Sequence, residues 1–251
     1  MKFIRRGLLV LAAGLCSFPM AGSAQPQDTP TVVTVAAIAD PDWKRYPAFS
    51  AGVAFFEAER RTAPGAPLRF RLFTRDGALP PGELLLRIAT DTESAPVGVG
   101  PDGRFALPHL AWALEGKAEI LSNQRRGSTR WRPDIRSPAV PAGFRRLGDL
   151  RLECRVRWTI ERADVPGLMR KVFDAAGGPC LARDVLVDFF SDEPIGRIVV
   201  ETPAGDRPLP CARAAPGGRK YYPPINDQSL GDDVLLRFEA GGDCAPPTAA
   251  H

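Results

Sequence analysis

Arginine is the residue type in this chain that most suggests chemistry. Arg125, Arg126, Arg130, Arg132, Arg136, Arg145 and Arg146 crowd into one stretch, with Trp131 between two of them, and Arg151, Arg155 and Arg157 follow closely. A guanidinium fork fits phosphate or carboxylate, and a tryptophan among such forks suits the face of a sugar. Arg125, Arg126, Arg130, Trp131, Arg132, Arg151, Arg155 and Arg157 are therefore the candidate anion-binding residues. From Gly103 to Lys171 the local charge is +8, while residues 25–102 sum to −2 and residues 172–251 to −5. The competing reading is a solvated linker and strand face on which Glu153 and Glu161 balance neighbouring arginines across a sheet.

Acid–base chemistry has fewer candidates. The chain holds two histidines, His109 and His251. His109 follows the Leu107-Pro108 corner beside Trp112 and reads as a packing residue, while His251 ends the chain. No nucleophile elbow, phosphate loop, dinucleotide fingerprint or metalloprotease helix occurs, so no catalytic set, metal site or cofactor is expected. Two carboxylate groups remain, Asp188, Asp192 and Glu193 near a strand end, and Asp227, Asp232 and Asp233 around a turn. A glycan hydrolase working through carboxylates is the alternative, because that chemistry needs only two carboxyl groups about 5–9.5 Å apart across a cleft.

The N-terminal residues set the chemical environment in which these groups are expected to work. Lys2, Arg5 and Arg6 precede the apolar Gly7–Cys16 run, and Gly22-Ser23-Ala24 precede the polar Gln25. That order predicts a secretory signal peptide over residues 1–24, its apolar run too short to span a bilayer. Its three cations account for three of the four net positive charges of the whole chain, so the remainder carries +1. Cys16 leaves with it, and the even count of Cys154, Cys180, Cys211 and Cys244 favours two disulfides in an oxidising compartment. The expected location is the periplasm or the outside of the cell. No later stretch approaches ~18 uncharged apolar residues, so no transmembrane segment is expected in the mature chain.

The elements that must position these residues follow from periodicity. Residues 31–121 are expected to hold a strand at Thr31–Ile38, a helix from Pro47 to Ala63 with a Phe49, Gly52, Val53 and Phe56 stripe, and several short strands. Leu68, Phe70 and Leu72 alternate with Arg69 and Arg71, and Leu84, Leu86 and Ile88 repeat the pattern after Asp76-Gly77 and Pro80-Pro81. Val97 and Val99, Phe105 and Leu107, and Ala118 and Ile120 continue it, so a β-sandwich is expected. Residues 122–147 read as an Arg/Pro-rich linker. Residues 148–245 read as a smaller α+β domain opened by a long strand, Leu150–Glu161, in which apolar and polar residues alternate strictly. A helix over Val165–Ala176 follows, with Asp164 as N-cap and a buried Met169, Val172, Phe173 and Ala176 stripe. Val185–Phe190, Ile198–Glu201 and Val234–Phe238 read as further strands. The fold class expected is mainly β, α+β, with two short helices. A strand of roughly 23 Å from Cys154 and a helix returning roughly 17 Å bring Cys180 beside Cys154. That leaves Cys211 with Cys244, ahead of the two other connectivities that four cysteines allow.

Leu68–Asn123 resembles the carboxypeptidase-regulatory or transthyretin-like sandwich. The resemblance rests on Asp76-Gly77, Leu79-Pro80-Pro81, Leu84-Leu85-Leu86, then Asp102-Gly103-Arg104-Phe105 and Leu107-Pro108. In that family the module is typically non-catalytic, so the resemblance implies scaffolding or binding. The function expected is a secreted or periplasmic binding or scaffold protein, not an enzyme. Its partner would be an anionic glycan, a lipid headgroup or an envelope protein rather than nucleic acid. A structural accessory subunit of an envelope complex is a further alternative.

Overall fold

The computed structural model describes residues 40–210, 213 and 217–241. The expected leader, the Thr31–Ile38 strand, and Cys211 and Cys244 with their proposed bridge lie outside the described residues. Among the described residues the chain is mainly β, with antiparallel sheets and four short α-helices. β1 (Pro41–Arg45), β3 (Leu86–Ala89), β4 (Ser94–Val97) and β6 (Glu119–Arg125) form one sheet in the order β1-β6-β3-β4. β2 (Leu68–Thr74), β5 (Arg104–Phe105) and β7 (Thr129–Ile135) form a second, ordered β5-β2-β7. β8 (Phe144–Arg146), β10 (Arg197–Glu201), β11 (Arg207–Pro208) and β13 (Leu235–Glu239) form a third, ordered β11-β10-β13-β8. β9 (Phe189–Phe190) pairs with β12 (Lys220–Tyr221). The helices are α1 (Tyr46–Glu59), α2 (Ala111–Glu115), α3 (Leu147–Glu161) and α4 (Gly167–Ala175).

The expected strand at Leu150–Glu161 is corrected: those residues belong to helix α3. The reason lies in what covers it. Leu152, Val156 and Ile160 enter one hydrophobic core with Phe49, Phe56, Phe70, Ile120 and Trp131. Leu147, Leu150 and Cys154 enter another with Ile198, Val200, Tyr221 and Leu236. Residues two apart on a helix are separated by roughly 200°, so a helix buried on two opposite sides shows apolar residues at every second position. The alternation that mimics a strand is the signature of a helix lying between two cores.

The expected linker over residues 122–147 is likewise corrected. Within it β7 pairs with β2 along its whole length, from Leu68↔Ile135 to Thr74↔Thr129, and β8 joins β13. Arginine and proline looked like linker composition, but Pro133 lies among buried residues of β7 and the arginines alternate with buried Trp131 and Ile135. With α3 shared between both cores, the described residues fall in one compact unit.

Local sequence accounts for the close contacts. Gly52 lets α1 approach α3: a Cβ there would sit 2.6 Å from Ile160 Cγ1. Gly77 turns the chain after β2 at φ +89°, and a side chain would strike Phe190. α1 matches the expected helix and begins with Pro47 in its first turn. The helix expected over Val165–Ala176 forms as α4, but its cap is Pro166, and Asp164 instead pairs with Arg45. Met169 and Val172 are exposed with Leu168, and only Phe173 finds a partner, its ring 5.5 Å from Trp158. Cys154 and Cys180 are bridged, with Cα atoms 5.8 Å apart, though by a different path: the segment leaving Cys154 is helical and covers about 10 Å, less than half the length of a strand.

Leu150 and Leu152 are both fully buried, on opposite sides of α3. Leu150→Ala and Leu152→Ala are each expected to cost about 2–5 kcal/mol in urea unfolding. Leu168→Ala on exposed α4 should stay within about 0.5 kcal/mol of the parent.

Candidate functional site

From Asp149 onward the odd-numbered residues of α3 belong to neither core. Glu153, Arg157 and Glu161 fall at four-residue spacing along one edge of the helix, where they meet the face of β7 turned away from the first core. β7 presents Arg132 and Asp134 there, β2 presents Arg71, and β5 presents Arg104. The segment from Asp188 to Asp192 closes over them, placing charges in the middle of the molecule.

Each carboxylate in this seam is gripped by arginines. Asp188 receives Arg132 Nη2 at 3.0 Å and Arg157 Nη1 at 2.9 Å. Asp192 receives Arg136 Nη1 at 2.8 Å and Arg104 Nη2 at 3.2 Å, and also pairs with Arg71. Asp134 accepts from Arg136 Nε at 2.9 Å and from Arg104. Glu161 accepts from Arg157 Nε at 3.0 Å. Glu153 accepts from the Ile135 amide at 2.6 Å and from Arg145, which donates a second bond to the Ile135 carbonyl at 3.1 Å. Arg132 also lies 5.7 Å over the Phe190 ring.

Burial alone would raise Asp188, but Arg132 and Arg157 outweigh it and hold the carboxyl at about 2. Burial is similarly overcome at Asp134, where Arg136, Arg145 and Arg104 hold it at about 2. Asp192 is also lowered, burial being outweighed by Arg136 and Arg71. Glu153 goes the other way, pushed up to about 7 by burial against the pull of Arg145. A raised carboxyl is what a general acid needs, yet the cavity it lines measures about 20 Å³. That is room for a water, not for a sugar ring.

The predicted anion-binding residues do not form one surface. Arg132 and Arg157 are committed to the seam. Trp131 is buried in the first core, its Nε1 donating to Asp42 at 3.1 Å. Arg151 binds Asp232 at 2.6 Å and the carbonyls of Ile225, Asp227 and Leu230. Arg155 pairs with Glu59 at 3.1 Å and lies over Phe55. Arg125 ends β6, Arg126 follows it in the β6–β7 turn, and Arg130 is the second residue of β7. The second carboxylate group is similarly spent: Asp227 caps Ser229, Asp232 holds Arg151, and Asp233 receives Arg146 at 2.8 Å. His109 is exposed ahead of α2. Among the described residues no group of three or more His, Cys, Asp or Glu side chains is placed to hold a metal ion.

Sequence reasoning missed Asp134, Glu153, Arg145, Arg71 and Arg104 as members of one network. One signal was available: Arg130, Arg132, Asp134 and Arg136 alternate with Trp131, Pro133 and Ile135, as a strand with a charged face requires. No protein-family model, curated protein or solved structure matches the chain.

Asp188→Asn would leave Arg132 and Arg157 side by side in the seam with Glu161 as the carboxylate they still share, and is expected to cost about 3 kcal/mol. Asp134 and Asp188 are lowered relative to the unfolded chain, so the stability they supply is complete above about pH 4 and is lost as pH falls towards 2. Urea midpoints measured between pH 5 and 2 should fall steeply for the parent and less steeply for Asp188→Asn.

Proposed function

We propose that the protein is a secreted or periplasmic, non-catalytic binding or scaffold protein that meets an anionic envelope component through arginines at the β6–β7 end. The division of labour among the arginines carries this reading. Those of the seam are neutralised by carboxylates, whereas Arg125 and Arg126 are exposed and Arg130, among the described residues, makes only a bond to the Thr129 carbonyl at 3.2 Å. Arg75 joins them by donating to the Gly127 carbonyl at 3.3 Å. Among the described residues, the carboxylate within ion-pair distance of these four is Asp40, 3.6 Å from Arg126. Arg126 lies 5.5 Å over Trp43, so the tryptophan beside the open guanidiniums is Trp43 rather than Trp131. Open forks beside an aromatic face suit an anionic glycan best among the three expected partners.

The leader pattern over Met1–Ala24 and the Cys154–Cys180 bridge support the extracytoplasmic address. The resemblance of residues 68–123 to a carboxypeptidase-regulatory-like sandwich belongs to the same proposal; β2, β3, β4, β5 and β6 run antiparallel through that stretch. A role as accessory subunit has one observation in its favour, the exposed Leu168, Met169 and Val172 of α4. No described helix is long and apolar enough to cross a membrane.

Titration of the protein with alginate, a uronate polymer, and with phosphatidylglycerol vesicles separates the partners. Alginate is expected to bind more tightly, with an affinity that falls as salt rises. Arg125→Ala/Arg126→Ala/Arg130→Ala should weaken it at least tenfold without moving the thermal midpoint, because none of the three pairs into the seam. Equal affinity in the triple variant contradicts the assignment, and preference for vesicles shifts it to a lipid headgroup.

A further inference from the structure

Helix α4 turns its apolar side away from the molecule. At roughly 100° per residue, Leu168, Val172 and Ala175 fall in one stripe with Met169 on its flank, while Arg170, Phe173 and Asp174 fall on the opposite side. A surface helix ordinarily lays its apolar stripe on the core. Here the contacts that seat the helix come from the other side. The Phe173 ring meets Trp158 at 5.5 Å, and Asp174 accepts from Arg162 Nε at 2.8 Å. No residue of α4 is buried: Leu168 is 80 % exposed, Val172 56 % and Met169 50 %, whereas Arg170 is partly covered.

The flanking residues hold this orientation. Asp164 pairs with Arg45 just ahead of the helix. Behind it, Gly177 at φ +76° and Gly178 at φ +96° turn the chain back, so that Cys180 reaches Cys154. With both ends tied, rolling the stripe inward would break the Phe173 and Asp174 contacts. Leu181, half-exposed, lies against Gly177 and adds apolar surface at the end of the helix.

Positive charge borders the stripe. Lys171 lies on the flank opposite Met169, and Arg170 precedes it. The carboxylates nearest in sequence, Asp164 and Asp174, are taken by Arg45 and Arg162, which leaves Arg170 and Lys171 without an ion pair among the described residues. Farther on, the exposed Arg183 and Asp184 offset each other. A second copy packed on the same stripe would bring two sets of unpaired cations together, which opposes association. A layer of anionic headgroups would neutralise them.

We propose that the α4 face docks on the surface of a bilayer rich in anionic lipid. The helix is about 14 Å long, far too short to span, and lies in the plane of the interface. Leu168, Val172 and Met169 enter the acyl boundary, Lys171 meets the phosphates, and Arg170 adds to the local positive potential. So short a helix gives weak, reversible docking that depends on the charge of the lipid. The surface is separate from the arginines of the β6–β7 end and does not depend on them.

Sedimentation of the full-length secreted form with vesicles of mixed phosphatidylglycerol and phosphatidylcholine, and of phosphatidylcholine alone, tests the assignment. Binding to the mixed vesicles is expected to be at least tenfold tighter. Leu168→Ser/Val172→Ser should weaken it at least tenfold with circular dichroism and alginate affinity unchanged, since both side chains are exposed. Lys171→Ala should weaken it about fivefold and leave phosphatidylcholine unaffected. Arg125→Ala/Arg126→Ala/Arg130→Ala should retain vesicle binding, so failure at α4 and failure at the β6–β7 end are read separately. Unaltered vesicle affinity in Leu168→Ser/Val172→Ser overturns the proposal, as does equal affinity for the two kinds of vesicle. So does a parent that sediments without lipid as a dimer and becomes a monomer in the double variant, which would place a second copy on the stripe.

Discussion

Helix α3 lies between two hydrophobic cores, and the rest of the structure depends on that placement. One side of the helix buries Leu152, Val156 and Ile160 with the sheets of the first half; the other buries Leu147, Leu150 and Cys154 with those of the second. A helix held on both sides has only its two lateral edges left for polar residues. On one, Arg151 and Arg155 reach out to Asp232 and Glu59. On the other, Glu153, Arg157 and Glu161 must find partners inside the molecule, and β7 and the Asp188–Asp192 segment supply them. The charge seam is a consequence of the packing.

The seam also constrains function. Taking several guanidiniums and carboxylates out of water is costly, and it is tolerated here because each charge meets opposite charge, although the buried Nε atoms of Arg71, Arg132 and Arg145 find no acceptor among the described residues. Here Asp134 and Asp192 share Arg104 and Arg136, and Asp188 bridges Arg132 and Arg157. A carboxyl held at about 2 is a poor proton donor, and an arginine already paired is a poor anion receptor. What the network provides is rigidity. It fixes β8, β9 and β12 against β7, and so fixes the open turn where Arg125 and Arg126 stand.

Much of the first half was legible in the sequence. Leu68, Phe70 and Leu72 set the period of β2, and Phe49, Gly52 and Phe56 that of α1, because each of these elements buries a single face. The same logic misled at α3, where two buried faces produced a two-residue period that belongs to a helix. The arginines were recognised as the important residues, but not what they do. The carboxylate that neutralises Arg132 lies 56 residues away and the one that holds Arg71 lies 121 away, distances over which spacing carries no information. Trp131 shows the same limit. Its flanking arginines suggested an exposed ring, whereas strand alternation turns it inward against Phe49 and Phe105. For the Cys154–Cys180 bridge, the reach argument arrived at the observed pair although the first arm is a helix rather than a strand.

The central claim is that α3 couples both cores into one cooperative structure. Trp131 reports on the first core and Trp158 packs against the second. Single-tryptophan variants that keep one of these, with the other three tryptophans replaced by phenylalanine, allow each core to be followed by fluorescence during urea unfolding. Once each variant is normalised to its own far-UV circular dichroism transition, coupling through α3 predicts that both fluorescence curves coincide with it. A tryptophan signal that separates from the circular dichroism transition in either variant, one core melting while the other persists, would contradict the account.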